Sequence, residues 1–120
     1  CIECHGTGTP IGDAVEVVSL LTLWEGVSSR PGQCAIGSVK SMIVHLLTAA
    51  GAAGFIKTLL AMRHATLAPS ANFSRAARVI PLEGSPFRVQ TAAEPWNVRE
   101  MHVRHPDGHV FRISRGNEEA

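Results

Sequence analysis

The spacing of apolar side chains changes repeatedly along this 120-residue chain, and each change predicts a different element. Cys1 to Cys4 reads as the end of a short strand that runs into the Gly/Thr-rich turn Gly6-Thr7-Gly8-Thr9. A helix is predicted from Ala14 to about Glu25, with Asp13 as its cap, Glu16 in capping-box spacing and Gly26 as its stop. Its apolar residues, among them Val15, Val17, Val18, Leu21 and Trp24, cover more than one face, which predicts burial on both sides. Ser28 to Gln33 is a Pro/Gly/Ser loop, and the short apolar stretch Cys34 to Val39 suits a buried strand.

A second helix is predicted from Ile43 or His45 to Arg63. It contains six small side chains in succession, Ala49 to Gly54. Glycine inside a helix costs about 0.5–1 kcal/mol relative to alanine, so Gly51 and Gly54 are read as places where another backbone approaches. Ala65 to Ser85 carries Pro69, Asn72, Pro81 and Gly84 and is expected to be an extended surface segment. Phe87, Val89 and Thr91 alternate with Arg88 and Gln90, the period of a half-buried strand. Met101 and Val103, then Phe111 and Ile113, alternate around His105-Pro106-Asp107-Gly108, which predicts a hairpin with a turn there. The tail Gly116 to Ala120 is polar and expected to fray. Taken in order these elements give an α/β class: strand-helix-strand-helix, an extended segment and a C-terminal β-hairpin.

Composition narrows the function. A chain of 120 residues buries one modest core. Eleven basic and ten acidic side chains leave a formal charge of +1 with no charge run, so no nucleic-acid or anionic-membrane partner is expected. The apolar run Met42 to Met62 is interrupted by His45 and Lys57 and is read as a buried helix of a soluble protein, not a membrane span. Cys1, Cys4 and Cys34 form no metal pattern, since Cys1-x-x-Cys4 has no second pair. They are read as free thiols in a reducing cytoplasm. The N-terminus has no basic region and begins inside a strand without methionine, so a fragment without signal peptide is expected.

The candidate chemistry lies at two histidines. Gly6, Gly8 and Gly12 between strand and helix would offer amides to a phosphate, but the spacing is not G-x-G-x-x-G and no lysine follows, so no nucleotide cofactor is expected. A histidine leading that turn is better suited to a carbonyl. A lone His5 would be read as structural; the second stretch changes that reading. Lys40 is expected to close a strand, and His45 lies five residues on, where a helix should begin. A nearby lysine favours neutral imidazole. Two histidines and a lysine at strand–helix junctions suit stabilisation of an enolate or oxyanion.

These residues also carry a family resemblance. The run Glu3-Cys4-His5-Gly6-Thr7-Gly8-Thr9-Pro10-Ile11-Gly12-Asp13-Ala14-Val15-Glu16 resembles the signature of β-ketoacyl synthases, the ketosynthase domains of polyketide and fatty-acid synthases. Ile36 to Ser41 through His45, then Ala49 to Lys57, resembles a second block of that family. Leu67 to Phe73 and Ser85 to Thr91 resemble later segments, so the resemblance covers residues 1–96 in order. It implies part of a thiolase-like fold and decarboxylative condensation of acyl thioesters. It further implies His5, His45 and Lys40 as catalytic residues, with Thr7, Thr9 and Glu16 supporting them. No cofactor or metal is implied. The substrates would be phosphopantetheine-linked acyl chains on acyl-carrier protein, and the partners that protein and a second copy or a larger synthase chain, in the cytoplasm.

Three departures bear on activity. The family's nucleophilic cysteine belongs to an upstream block, and neither Cys1 nor Cys4 matches its motif. Val44 stands where the family has glycine, which puts a β-branched residue where the backbone needs freedom. The family's glycine-rich loop after Trp96 is absent. The isolated chain is therefore expected to be inactive. Residues 94–113 instead resemble the last hairpin of glyoxalase/bleomycin-resistance (vicinal-oxygen-chelate) proteins, although Arg112 occupies the place of their ligating glutamate and a guanidinium does not ligate metal. The expected organisation is a ketosynthase-like segment at 1–96 and a hairpin and tail of different origin at 97–120. The alternatives are a non-catalytic remnant or dimerisation module, or a small vicinal-oxygen-chelate protein. Helices apolar on two sides predict exposed apolar surface unless a larger chain covers them.

Overall fold

A computed structural model describes residues 1–95 and the strand segments 100–104 and 110–114. Strand β1 (Ile2–Glu3) leads through the Gly/Thr turn into α1 (Pro10–Leu23). Strand β2 (Cys34–Gly37) leads into the single-turn α2 (Lys40–Ile43), and a 3-10 turn at Leu47–Ala49 into α3 (Ala50–Arg63). Then follow β3 (Thr66–Leu67), β4 (Phe87–Val89), β5 (Glu94–Pro95), β6 (Glu100–Arg104) and β7 (Val110–Ser114).

The central sheet is parallel, in the order β1-β2-β4. Ile2 pairs with Ile36, Glu3 with Gly37, and Ile36 with Val89. Because side chains alternate across a strand, Ile2 and Ile36 share one face and Glu3 and Gly37 the other. Helix α1 covers the first face. There Val17 and Ile36 pack on Phe87, which is only 2% exposed, with Leu20, Trp24 and Val89 around them. The Trp24 and Phe87 rings meet edge to face at 5.2 Å. Helix α3 lies on the other face, where Lys57 reaches Glu3. The α/β architecture expected from the pattern is present, and β6 and β7 pair antiparallel as a hairpin. Its turn at 105–108, Trp96 and the tail 116–120 lie outside the described residues.

Several local expectations are corrected. Helix α1 begins at Pro10, not Ala14, and its cap is Thr9, whose Oγ1 accepts the Gly12 amide at 3.1 Å. Pro10 sits in the first turn, where its missing N–H costs nothing. Asp13 and Glu16 therefore lie inside the helix, and their carboxylates turn back to the preceding loop. Lys40 opens α2 instead of closing a strand, and His45 lies in the link before α3 instead of starting it. Of the two helix glycines, only Gly54 is closely approached, by the Glu3 side chain; Gly51 faces open space. Burial of α1 is one-sided, since Val15 is 60% exposed. The irregular 65–85 segment includes β3, which pairs antiparallel with β5. No helix among the described residues is long and apolar enough to cross a membrane.

The break between α2 and α3 has a local cause. Val44 stands at φ 67° and ψ 175°, a region that suits glycine. A β-branched residue there carries about 1–3 kcal/mol of strain. Glycine in its place would cost about 0.5–1 kcal/mol through the freer unfolded chain. Val44 is 75% exposed, so little apolar burial is lost on its removal. Val44→Gly is expected to stabilise the chain by about 1 kcal/mol. Urea denaturation checks this, and a variant less stable than the parent contradicts it.

Candidate active site

The two loops that leave β1 and β2 run side by side because the strands are parallel and end together. Cys4 donates its amide to the Gly37 carbonyl at 2.7 Å, extending the pairing one residue past β1. The chain then turns sharply at Gly6. Its φ of +45° is left-handed, and a Cβ there would stand 2.7 Å from the Ser38 Cβ. The turn is held from α1: Glu16 accepts the His5 amide at 2.6 Å through Oε1 and the Gly6 amide at 2.9 Å through Oε2. Asp13 accepts the Gly8 amide at 3.0 Å. Two carboxylates thus satisfy loop donors that the sequence pattern assigned to a helix cap.

The second loop is tied to the first through His5. Lys40 donates from Nζ to the His5 carbonyl at 2.7 Å. The geometry brings the two imidazoles together: His5 and His45 meet edge to face, ring centroids 5.8 Å apart and planes at 88°. The Leu47 amide donates to His45 Nδ1 at 3.0 Å. In the neutral ring the His45 proton therefore sits on Nε2, leaving a donor free for a substrate oxygen. His5, Lys40 and His45 line one cleft of about 600 Å³ with Glu3, Leu47 and Phe55.

Thr7 and Thr9 do not line that cleft. Their hydroxyls lie 3.0 Å apart; Thr9 caps α1, and Thr7 donates to Asp13 at 3.5 Å. They shape the turn from behind. Glu16 likewise holds the backbone of His5. Sequence reasoning missed Asp13 as a loop acceptor and missed Glu3 altogether. One Glu3 carboxylate oxygen accepts the Val39 amide and the other takes Lys57 Nζ at 2.8 Å. Nothing local in the sequence signals a pair 54 residues apart. Among the described residues no group of three or more His, Cys, Asp or Glu could hold a metal ion, and the side chains of His102, His105 and His109 lie outside them.

Cys4 lines the cleft but is poorly suited to attack. Burial pushes its thiol from 9.0 up to about 12, and the negative charges of Glu16 and Glu3 push the same way. At pH 8 the thiolate fraction of Cys4 is then about a thousandfold smaller than that of an ordinary thiol. Iodoacetamide at pH 8, read by peptide mass spectrometry, is expected to modify the exposed Cys1 well before Cys4. Equal rates would contradict the protected thiol. The sign for stability follows from the raised value. The Cys4 contribution is complete below the unfolded-state value near 9 and is lost as pH rises from there towards about 12.

Comparison with known proteins agrees with the geometry. The profile described as "Beta-ketoacyl synthase, C-terminal domain" matches residues 1–74. The chain is 44% identical over 96 residues to a phenolphthiocerol/phthiocerol polyketide synthase of Mycobacterium tuberculosis, covering 79% of this chain and 6% of that protein. It is 43% identical over 103 residues to the polyketide synthase PksL of Bacillus subtilis, covering 86% of this chain and 2% of that protein. Among solved structures, the ketosynthase from module 6 of the Bacillus subtilis bacillaene synthase aligns at TM-score 0.78 and 42% identity, covering 83% of this chain and 19% of that one. The oxazolomycin ketosynthase domain of Streptomyces albus aligns at TM-score 0.81 and 35% identity, covering 98% of this chain and 22% of that one. The chain thus spans a small part of each protein it matches.

Proposed function

The chain belongs to the β-ketoacyl synthase family, and we propose that it supplies the histidine side of a decarboxylative acyl-condensation site. The observation that carries this reading is the His5–His45 ring pair at 5.8 Å in one cleft with Lys40. In the proposed step a malonyl-type thioester places its carbonyl oxygen between the imidazoles. His45 donates from Nε2, and His5 supplies the second hydrogen bond. The bond to the carboxylate breaks, carbon dioxide leaves, and its electron pair passes to the thioester oxygen as an enolate that both rings stabilise. The enolate carbon then attacks an acyl thioester carried on a cysteine thiolate, which departs as the new carbon–carbon bond forms.

Lys40 serves this step by gripping the His5 carbonyl and so fixing the turn that carries the ring. Thr7, Thr9 and Glu16 set the turn from the other side. The cysteine that carries the acyl group would come from chain outside these residues, since Cys4 stays protonated. The substrates would be acyl chains on the phosphopantetheine arm of an acyl-carrier protein. The site would be completed by a larger synthase chain, and a second copy would pair with it. The uncovered apolar surface supports such completion: Ile11, Leu23 and Leu47 are each more than 70% exposed. For residues 97–120 we propose an origin separate from 1–96, a reading supported by the change of sequence pattern after Trp96.

The test is a chimera in which this chain replaces the corresponding segment of the bacillaene module 6 ketosynthase. Carbon dioxide release from a malonyl-carrier thioester is the readout. His5→Ala and His45→Ala are each expected to lower kcat by about 10²–10³-fold, as loss of one oxyanion donor does. An active chimera whose rate is unchanged by both substitutions would overturn the assignment.

A further inference from the structure

Glu3 lies two residues before His5, and its carboxylate joins three elements. One oxygen accepts the amide of Val39, the residue that immediately precedes α2. The other accepts Lys57 of α3 at 2.8 Å. The side chains of Lys57 and Glu3 are 16% and 21% exposed, so this pair is largely shielded from water. Val39 is itself buried, and the Glu3 carboxylate is the acceptor that its N–H has among the described residues.

The surroundings are shaped to admit the pair. A Cβ on Gly54 would stand 3.0 Å from Glu3 Cγ, so a side chain there would press the Glu3 side chain aside by a few tenths of an ångström. A Cβ on Gly37 would stand 3.7 Å from Lys57 Nζ and 3.0 Å from Ser70 Oγ. Two residues beyond Glu3 stands His5, and one residue beyond Val39 stands Lys40, which grips the His5 carbonyl.

We propose that Glu3, oriented by Lys57, is a positioning residue for the histidine pair. It locks the start of α2, and with it Lys40 and the path to His45, against the strand that delivers His5. Its consequence for turnover rests on the condensation reading; the placement of the rings does not.

The experiment reads the rings directly. In the full chain, nuclear Overhauser contacts between the His5 and His45 ring protons are measured for the parent and for Glu3→Ala, Glu3→Gln and Lys57→Met. Arg88→Met, which breaks the Arg88–Glu94 pair, serves as control. Glu3→Ala is expected to lose the ring-to-ring contact. Glu3→Gln, which keeps an acceptor for the Val39 amide, is expected to retain part of it, and Arg88→Met all of it. In the chimera, Glu3→Ala is expected to lower kcat roughly tenfold to a hundredfold with little change in KM. Retention of the contact in Glu3→Ala, or an equal loss in Arg88→Met, would overturn the proposal. If Glu3→Ala does not fold, Glu3→Gln and Lys57→Met decide by the same contact. A chimera inactive even with the parent sequence, alongside loss of the contact in Glu3→Ala, would overturn the condensation reading and leave the positioning role standing.

Discussion

The parallel pairing of β1 with β2 governs the arrangement of the site. Parallel strands end at the same edge of a sheet, so the loop leaving one strand emerges beside the loop leaving the other. With Glu3 opposite Gly37, the His5 turn and the Ser38–Lys40 turn leave the sheet as neighbours, although His5 and His45 are far apart in sequence. A one-residue slip of β1 would move Ile2 off the face that α1 covers and would turn Glu3 away from α3. The packing of Ile36 on Val17 and Phe87 therefore also protects the register on which the histidine pair depends.

What the sequence reveals and what it hides divides along the range of each interaction. Strand, turn, helix and hairpin are legible because hydrophobic period and turn residues are local signals. The start of α1 is misplaced by pattern alone because Asp13 and Glu16 have capping-box spacing. That spacing equally suits carboxylates that reach back to the amides of Gly8, His5 and Gly6. Local pattern sets which groups are available but not which donors claim them. The second helix comes out too long for a similar reason. Val44 has no tendency of its own to break a helix at a left-handed φ, so the bend comes from tertiary context, which also imposes its strain. The histidines and Lys40 are legible as a set through family resemblance. The route by which they are held, through Glu16, Glu3 and Lys57, is not, because it is built of contacts between distant segments.

The same division explains the exposed apolar surface. Each helix has apolar residues on more than one side, yet each meets the sheet on one side only. On α3, Phe55 and Ile56 stay about half exposed while Ala50 and Gly54 are buried. The chain spans 19% and 22% of two ketosynthase structures it resembles. Burying the exposed apolar faces would be favourable in proportion to the apolar area removed from water. Most of the polar ties at the His5 turn, by contrast, lie within the described residues and do not wait for that covering.

Those ties also constrain the chemistry in a way that neither histidine does alone. Two carboxylates stand at the His5 turn: Glu16 accepts the His5 and Gly6 amides, and Glu3, two residues before His5, joins Val39 to Lys57 of α3. Burial first, and then the charges of Glu16 and Glu3, keep the neighbouring Cys4 thiol protonated. Hydrogen-bond donation to a developing enolate and thiolate nucleophilicity ask for opposite surroundings: the first tolerates a nearby anion on the backbone side, the second is suppressed by it. A site built this way separates the two functions in space. On the proposed condensation reading, an attacking sulfur would have to stand beyond the reach of Glu3 and Glu16, away from the loops that carry the imidazoles.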